Sequence, residues 1–360
     1  MKIGHVSVLE RSALSFGEIH ARVKAGEKIF EYEGDYLSIR IPGIIEASDG
    51  SLLAYYECRT GGDWSAIDLC AKRSEDGGLS WSERMMLVSG KGRMTCNNPV
   101  MIVDGERIHF LYCEGYKRLF HRVSYDNGRT FGAPHELTET VDNEMGEEFW
   151  SNLAVGPGHG IRLESGRLIV PLWMAHNKKD IFSHSNSSIR TLYSDDHGVT
   201  WHIGCRVENG EILDPNESTV CEIGGRLMLN IRNKAPERLR AVAFSEDGGE
   251  SFTPMTLVPD LPDPKCMGAL TVLDGRVFFS NCRSHERRIN LSVSELDGDS
   301  SLIHTTLITP IAGYSDLVAS PSGKCLYSLC EADDCTEIRF AQILLDEDER
   351  SGSVQRRSVK

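Results

Sequence analysis

Residues 194–201 read Ser-Asp-Asp-His-Gly-Val-Thr-Trp, and this octapeptide pattern decides the fold because the chain contains it four times. The shared pattern is Ser-x-Asp-x-Gly-x-Ser/Thr-Trp/Phe, and its copies occupy residues 74–81, 124–131, 194–201 and 245–252. Their first residues lie 50, 70 and 51 positions apart. One such octapeptide can arise by chance, but four copies indicate a repeated structural unit.

Each octapeptide is expected to form a tight turn. The aspartate at its third position can fold its carboxylate back onto backbone N–H groups. The glycine two positions later permits positive φ, and the closing aromatic residue can anchor the next strand. Alternating aspartates are also typical of a calcium loop, but the flanking helices and the closing glutamate of such a loop are missing. A structural turn is therefore the favoured interpretation.

Short apolar runs joined by Asp-Gly, Ser-Gly or Gly-Gly pairs surround the octapeptides and predict β-hairpins. Clear examples are residues 43–59, 100–115, 161–175, 221–233 and 272–283. Many short strands with a repeat near 50 residues predict an all-β fold, a six-bladed β-propeller. The predicted propeller covers residues 36–345, with an N-terminal lead (1–35) and a polar tail (346–360). An array of β-sandwiches is the competing fold.

Composition restricts the partners. Of 360 residues, 53 are Asp or Glu and 39 are Lys or Arg, which gives a net charge of −14. Such a chain is a poor partner for nucleic acid or an anionic membrane. The N-terminus lacks the apolar core of a signal peptide, and 11 cysteines occur without a Cys-x-x-Cys pair. A cytoplasmic protein is expected, with export by a non-classical route left open.

Several motifs together resemble those of the sialidase (neuraminidase) superfamily. Residues 40–42, Arg-Ile-Pro, resemble the motif that opens the sialidase propeller, and the octapeptides resemble sialidase Asp boxes. Glu217, followed fifteen residues later by Arg232, is similar to that family's Glu-then-Arg segment. Residues 288–291, Arg-Ile-Asn-Leu, and 314–317, Tyr-Ser-Asp-Leu, are similar to two further family motifs. The resemblance runs from about residue 36 to residue 345.

The resemblance implies a site for a carboxylated sugar. Arg40, Arg232 and Arg288 match the arginine triad that binds the carboxylate of sialic acid. Arg59 matches an arginine that often reaches the sugar, and Glu331 stands where a carboxylate orients the first arginine. Guanidinium groups suit this task because they are planar forks of fixed positive charge. We therefore expect a local cluster of three positive charges inside an acidic protein.

The resemblance also implies the catalytic residues. Tyr314 matches the nucleophile and Glu217 its partner base. A neutral tyrosine hydroxyl, unlike a carboxylate, is not repelled by the substrate's own carboxylate. Asp63 falls near the acid/base, whose pKa is expected to be raised so that it starts protonated. Because the loop around Asp63 is short, Asp68 remains the alternative.

Other polar residues carry less specific signals. His159 lies in the loop Gly-Pro-Gly-His-Gly (156–160), where a turn histidine is the favoured interpretation and a place in the substrate cleft is the alternative. That loop lacks the Lys-Ser/Thr of a phosphate-binding loop. His176 and His184 lie in a polar stretch without metal-ligand spacing. No metal and no cofactor is expected.

The resemblance implies a retaining exo-sialidase-like glycoside hydrolase that acts on sialylated or related acidic glycans through a tyrosyl-glycosyl intermediate. Transfer to a sugar instead of water, as in a trans-sialidase, needs the same catalytic residues and stays open. So does a non-catalytic glycan-binding propeller. A glycosidase for neutral sugars fits poorly with three motif arginines. The pocket for the N-acyl group and the oligomeric state are not predicted.

Overall fold

Six β-sheets build the part of the protein that the structure describes. The computed structural model describes residues 1–12, 18, 36–91, 93–298, 300–321, 323 and 325–345. These residues form a nearly all-β structure with six blades, so the predicted six-bladed propeller is confirmed. Among the described residues no helix is both long enough and apolar enough to span a bilayer.

The strands follow the blades in chain order with two exceptions. The first strand, β1 (Lys2–Arg11), belongs to the sixth blade, and the short strand β11 (Gly158–His159) joins the sheet of blade 2. Blades 1 and 2 contain β2 (Ser38–Glu46), β3 (Leu52–Arg59), β4 (Ile67–Ser74), β5 (Met85–Val88), β6 (Cys96–Asp104), β7 (Arg107–Glu114), β8 (Arg118–Ser124) and β9 (His135–Glu136). The helix α1 (Thr138–Met145) then leads to blade 3. Blade 3 contains β10 (Asn152–Val155), β12 (Ile161–Arg162), β13 (Leu168–Ala175), β14 (Ser187–Ser194) and β15 (His202–Ile203), while β11 (Gly158–His159) pairs with β6.

Blades 4 to 6 complete the ring. Blade 4 contains β16 (Ser218–Ile223), β17 (Arg226–Ile231), β18 (Leu239–Ser245) and β19 (Thr256–Pro262). Blade 5 contains β20 (Ala269–Leu273), β21 (Arg276–Cys282), β22 (Ile289–Leu296) and β23 (Leu302–Ile311). Blade 6 contains β24 (Ser315–Ala319), β25 (Cys325–Ala332), β26 (Glu337–Leu344) and β1.

The sixth blade joins both ends of the described chain. Strand β1 pairs antiparallel with β26, so that Lys2 lies opposite Leu344 and Arg11 opposite Glu337. Part of the predicted lead therefore contributes the outer strand of a blade. Most of the rest of that lead, and the predicted tail 346–360, lie outside the described residues.

The core lies between adjacent blades. Leu53 and Tyr55 of blade 1 pack with Phe110 of blade 2, and Ile44 of blade 1 packs with Phe340 of blade 6. Every residue of β3 and of β13 is buried, because the second strand of a blade is covered on both faces by its neighbours. This explains why these strands appear in the sequence as long apolar runs.

The four octapeptides form the same turn between the third and fourth strands of blades 1 to 4. In the turn that contains Asp196, one carboxylate oxygen accepts the Thr200 N–H at 2.8 Å and the other accepts the Thr200 hydroxyl at 2.6 Å. The Ser194 hydroxyl donates to Asp196 and accepts the Gly198 N–H, both at 2.8 Å. These hydrogen bonds lower the pKa of Asp196 to about 2, more than offsetting the effect of partial burial.

Each turn also packs against the preceding blade. Gly198 has φ of +79°, and a Cβ there would lie 2.5 Å from the ring of His109 in blade 2. Gly128 has φ of +80°, and a Cβ there would lie 2.6 Å from Leu53 in blade 1. Since the third strand of a blade runs in the direction of the first, these turns lie at the end of the axis opposite to the starts of the inner strands.

Asp196→Ala is expected to lower the free energy of unfolding by about 1 kcal/mol, as does loss of a capping side chain. The kcat of the folded protein should stay unchanged, because the turn lies far from the candidate site. Val199→Ala is the control, since Val199 is in the same turn and is 75% exposed. Thermal unfolding and steady-state kinetics check this. Loss of kcat at unchanged Tm would contradict a purely structural role.

Candidate active site

Tyr314, Glu217 and Arg232 form one hydrogen-bonded group where β16 and β24 begin. The Tyr314 hydroxyl donates to Glu217, whose two carboxylate oxygens lie 2.7 and 2.6 Å away. Arg232 donates to the same hydroxyl at 2.7 Å and forms an ion pair with Glu217. Burial and the charge of Glu217 raise the pKa of Tyr314 above its usual value, although the nearby arginines oppose this. The phenol is therefore neutral and faces a carboxylate that can accept its proton.

The hairpin of β16 and β17 explains the fifteen-residue spacing of Glu217 and Arg232. Ser218 lies opposite Ile231 at the end of this hairpin. One residue further out, the Arg232 N–H donates to the Glu217 carbonyl at 3.2 Å. The two side chains are thus cross-strand neighbours, which places the base and one arginine side by side.

The three arginines of the predicted triad surround the Tyr314 ring. The guanidinium carbons of Arg288, Arg40 and Arg232 lie 4.9, 5.0 and 5.8 Å from the ring centroid. They come from blades 5, 1 and 4, so only closure of the propeller brings them together. The structure therefore groups these residues as expected, while their role in binding stays a prediction.

Glu331 connects the first arginine to the backbone around Tyr314. Its Oε1 accepts Arg40 Nε at 3.0 Å and the Ile41 N–H at 3.1 Å, and its Oε2 accepts the Tyr314 N–H at 2.9 Å. Although its full burial opposes ionisation, Arg40, Arg288 and these N–H groups lower the pKa of Glu331 to about 2. Glu331 is thus placed to orient Arg40, as the resemblance implies.

A bulge in β2 aims Arg40 at the site. The register of β2 against β3 shifts between Arg40 and Gly43, and Ile41 has φ of +55°. Positive φ is costly for a β-branched residue and persists only where surrounding contacts hold it. The hydrogen bond from the Ile41 N–H to Glu331 is one such contact. This gives the Arg-Ile-Pro motif a physical function.

Asp63 lies on the loop between β3 and β4, next to two arginines. Its Oδ1 lies 2.5 Å from Arg59 Nη1 and 3.8 Å from Arg40 Nη1, and its side chain is 49% exposed. Partial burial opposes ionisation, but Arg59 and then Arg40 outweigh it, so the pKa of Asp63 is lowered. The expectation of a raised pKa, which rested on burial or neighbouring carboxylates, is therefore wrong for the unliganded protein, because the ion pairs with arginine outweigh burial.

Glu57 is a buried carboxylate that the sequence analysis missed. It accepts Arg59 Nε at 2.6 Å and the Asn98 N–H at 2.7 Å. Arg59 is thus held between Glu57 on one side and Asp63 on the other. The available signal was spacing, since Glu57 and Arg59 are alternate residues of one strand and so share a face.

An aromatic cluster beside Asp63 was also missed. The Trp64 ring lies 4.9 Å from Tyr116 and packs edge-on against Phe182 at 5.1 Å. His184 lies 4.7 Å from Tyr116 and 5.0 Å from Trp173. Trp64 and Phe182 are 37% and 63% exposed, so this cluster reaches the surface. Its members come from blades 1 to 3, so no local sequence pattern predicts that they lie together.

Comparisons with known proteins identify the family of this chain. A family model described as a BNR repeat-like domain matches residues 50–325. The chain belongs to this family. The sequence motifs of this BNR repeat-like protein predicted that it resembles the sialidase superfamily, and this prediction is also confirmed. Among curated relatives, Sialidase-3 of Mus musculus is 36% identical over 179 residues, which cover 46% of this chain and 40% of the relative.

Two further relatives cover more of the BNR repeat-like chain. The sialidase of Micromonospora viridifaciens is 29% identical over 347 residues, covering 85% of this chain and 51% of that protein. The structure of Trypanosoma rangeli sialidase with the inhibitor DANA is 20% identical with a TM-score of 0.70, covering 95% of this chain and 60% of that one. This likeness shows the fold. The matches to the two curated relatives thus span about half of their length or less.

The three triad arginines of this BNR repeat-like protein lie together as expected, but carboxylates beside them offset their positive charge. Among the residues that the structure describes, the candidate site contains four arginines and four carboxylates, so their formal charges cancel. The arginines are Arg40, Arg59, Arg232 and Arg288, and the carboxylates are Glu57, Asp63, Glu217 and Glu331. Arg40, Arg59 and Arg232 each pair with a carboxylate, because a buried guanidinium without a partner is costly. Arg288 instead donates to the Lys265 carbonyl at 3.3 Å.

Asp68, the alternative to Asp63, has structural partners. It accepts the Tyr36 hydroxyl and the Gly90 N–H, both at 2.6 Å, and the Ser89 hydroxyl at 3.2 Å. The residue is only 2% exposed. Asp68 thus ties β4 to the segments around it, whereas Asp63 reaches the arginines.

His159 does not line the cleft, which was the alternative that its place in the sequence left open. It is 7% exposed in β11, and its Nδ1 lies 2.8 Å from an Asp316 carboxylate oxygen. Despite burial, Asp316 raises the pKa of His159. The residue borders a cavity of about 400 Å³ that also contacts Glu46 and Val318, at the far ends of β2 and β24. Pairing of Gly158-His159 with β6 draws the residue into the wall of the axial channel.

Proposed function

We propose that this protein is a retaining exo-sialidase-like glycoside hydrolase that acts through a tyrosyl-glycosyl intermediate. The observation that carries the proposal is the neutral Tyr314 hydroxyl, hydrogen-bonded to Glu217 inside a ring of three arginines. A binding-only propeller has no need for a phenol paired with a base. The catalytic roles rest on this geometry together with the family's motifs.

The first half of the reaction forms the intermediate. The Tyr314 oxygen attacks the anomeric carbon while Glu217 takes the phenolic proton. Asp63 donates a proton to the departing glycosidic oxygen, so that the aglycone leaves as an alcohol. The arginines hold the substrate carboxylate and fix the anomeric carbon above Tyr314.

The second half releases the sugar. Asp63, now ionised, removes a proton from water, and the resulting oxygen attacks the anomeric carbon. The bond to Tyr314 breaks, and Glu217 returns the proton to the phenolate. Two displacements at the same carbon give net retention of configuration.

The exposed aromatic pair Trp64 and Phe182 is assigned to the aglycone. Asp63 must lie next to the glycosidic oxygen, and Trp64 is its chain neighbour. The group beyond that oxygen therefore meets this pair, and aromatic faces pack well against the apolar face of a sugar. Whether water or a second sugar then accepts the sialyl group depends on occupancy of this surface.

Trp64→Ala is expected to raise KM about fivefold to tenfold for a sialylated oligosaccharide, which corresponds to about 1 kcal/mol of lost packing. Methyl α-sialoside should show little change, because its aglycone is too small to reach the ring. Leu213→Ala, which shortens an exposed apolar side chain on another loop, is the control. An equal rise in KM for both substrates would show that Trp64 acts on the sialic acid itself.

The decisive experiment compares three fluorogenic glycosides: an α-sialoside, its deaminated analogue and a neutral galactoside. Turnover of either acidic substrate supports the proposal if NMR shows that the free sugar is first released as its α-anomer. Turnover of the galactoside alone would overturn it. The cytoplasmic location and the lack of nucleic acid and membrane partners stay predictions.

A further inference from the structure

The formal charges of the candidate site cancel before any ligand binds. Three of its carboxylates are held tightly. Glu57 and Glu331 are fully buried and accept backbone N–H groups as well as arginine, and Glu217 is held by Arg232 and Tyr314. Asp63 is different, because it is half exposed and its close partner Arg59 is shared with Glu57. Burial raises the pKa of Glu57 despite Arg59, whereas Arg59 and Arg40 outweigh partial burial and lower the pKa of Asp63 in the empty site. Asp63 is nevertheless the carboxylate whose surroundings a bound sugar changes most, because its side chain is the half-exposed one.

A bound sugar carboxylate would add one negative charge to this balanced site. Buried uncompensated charge is costly, and a site that cannot pair it changes its protonation instead. The sugar would also cover Asp63 and engage Arg40, which lies 3.8 Å from Asp63 in the empty site. Both effects favour the protonated form of Asp63.

We infer that the site binds its carboxylated sugar together with one proton, which Asp63 takes from solvent. This rests on the proposed function and deepens it, because the same event converts Asp63 into the acid that the first step requires. Arg40 then has two tasks: it binds the substrate carboxylate, and by doing so it stops stabilising the Asp63 anion. The protein acquires its general acid only when a substrate is present.

Glu57 is the rival proton acceptor, because burial raises its pKa, but its carboxylate is fully buried behind Arg59 and does not face solvent as Asp63 does. His184 faces Asp63 from the β13–β14 loop, and burial lowers its pKa despite the nearby carboxylates, so it is neutral. Tyr116 is buried behind Arg59, and its pKa is raised. Arg59 keeps Glu57 as a partner when Asp63 is protonated, and is therefore not left unpaired.

The test is isothermal titration calorimetry with DANA, an unsaturated sialic acid analogue that keeps the carboxylate. Titrations at pH 7 in phosphate and in Tris, which differ in ionisation enthalpy, give the number of protons bound. We expect uptake of about one proton per DANA, and a Kd that weakens by up to about tenfold per pH unit at higher pH. Asp63→Asn should bind DANA with uptake near zero and a flat pH dependence.

Asp214→Asn is the matched control, because Asp214 pairs with Lys234 at 3.1 Å outside the arginine cluster. It should retain proton uptake, and thermal unfolding verifies that both variants fold. DANA binding by the unmodified protein without proton uptake would overturn the inference alone. A full proton still taken up by Asp63→Asn would also overturn it and point to another carboxylate. No DANA binding at any pH would instead overturn the proposed function.

Discussion

Replacing Tyr314 by phenylalanine is expected to lower kcat by about a thousandfold or more on any sialoside, because the attacking oxygen is removed. DANA binding should stay within about threefold of the unmodified protein, since the arginines remain and the ring they surround is kept. Steady-state kinetics and calorimetry measure the two quantities. The separation of kcat from binding is what distinguishes a nucleophile from a residue that merely supports the site.

Tyr56→Phe is the matched control for this experiment. Tyr56 is also a buried tyrosine whose hydroxyl donates to a carboxylate, that of Glu10 at 2.8 Å. Its hydroxyl lies outside the arginine cluster, so kcat should be unchanged while stability falls modestly. If Tyr314→Phe retained full activity, the covalent mechanism would be excluded.

Asp63→Ala is expected to have an effect that depends on the leaving group. On a natural sialylated glycan, loss of the general acid should lower kcat/KM by about 10²–10⁴-fold. On an aryl sialoside the loss should be much smaller, because a phenolate leaves without a proton. Comparing the two substrates in one variant removes any common effect of folding or sugar binding.

The dependence on pH provides a second readout for Asp63. The pKa of Asp63 is lowered in the free protein, and only its protonated form can act as the acid. The kcat/KM for a natural glycan should therefore fall about tenfold per pH unit above that pKa, whereas kcat should hold to higher pH if substrate binding brings the proton. In Asp63→Ala this fall of kcat/KM with rising pH should be absent. Equal losses on aryl and natural substrates would show that Asp63 is not the acid, and Asp68 would be the next residue to test.

The parts of the fold that the sequence predicts are those that depend on contacts between residues close together in the chain. The four Asp-box turns are set by hydrogen bonds within eight residues, so they can be recognised from the sequence alone. Their aspartates are Asp76, Asp126, Asp196 and Asp247. Glu217 and Arg232 lie side by side because one hairpin connects them, and the sequence predicts this contact as well. Membership in the BNR repeat-like family, and the motif arginines, follow from such short segments.

The tertiary structure decided the properties that depend on residues far apart in the chain. Arg40 meets Glu331 across 291 positions, and Tyr314 meets Glu217 across 97. The lowered pKa of Asp63, the burial of His159 and the aromatic surface at Trp64 result from contacts between blades. The sequence alone determined the blades, the Asp-box turns and the identity of the motif residues, because those depend on neighbours in the chain. Only closure of the ring decided that four carboxylates balance four arginines, because charge and burial are properties of the space the blades enclose.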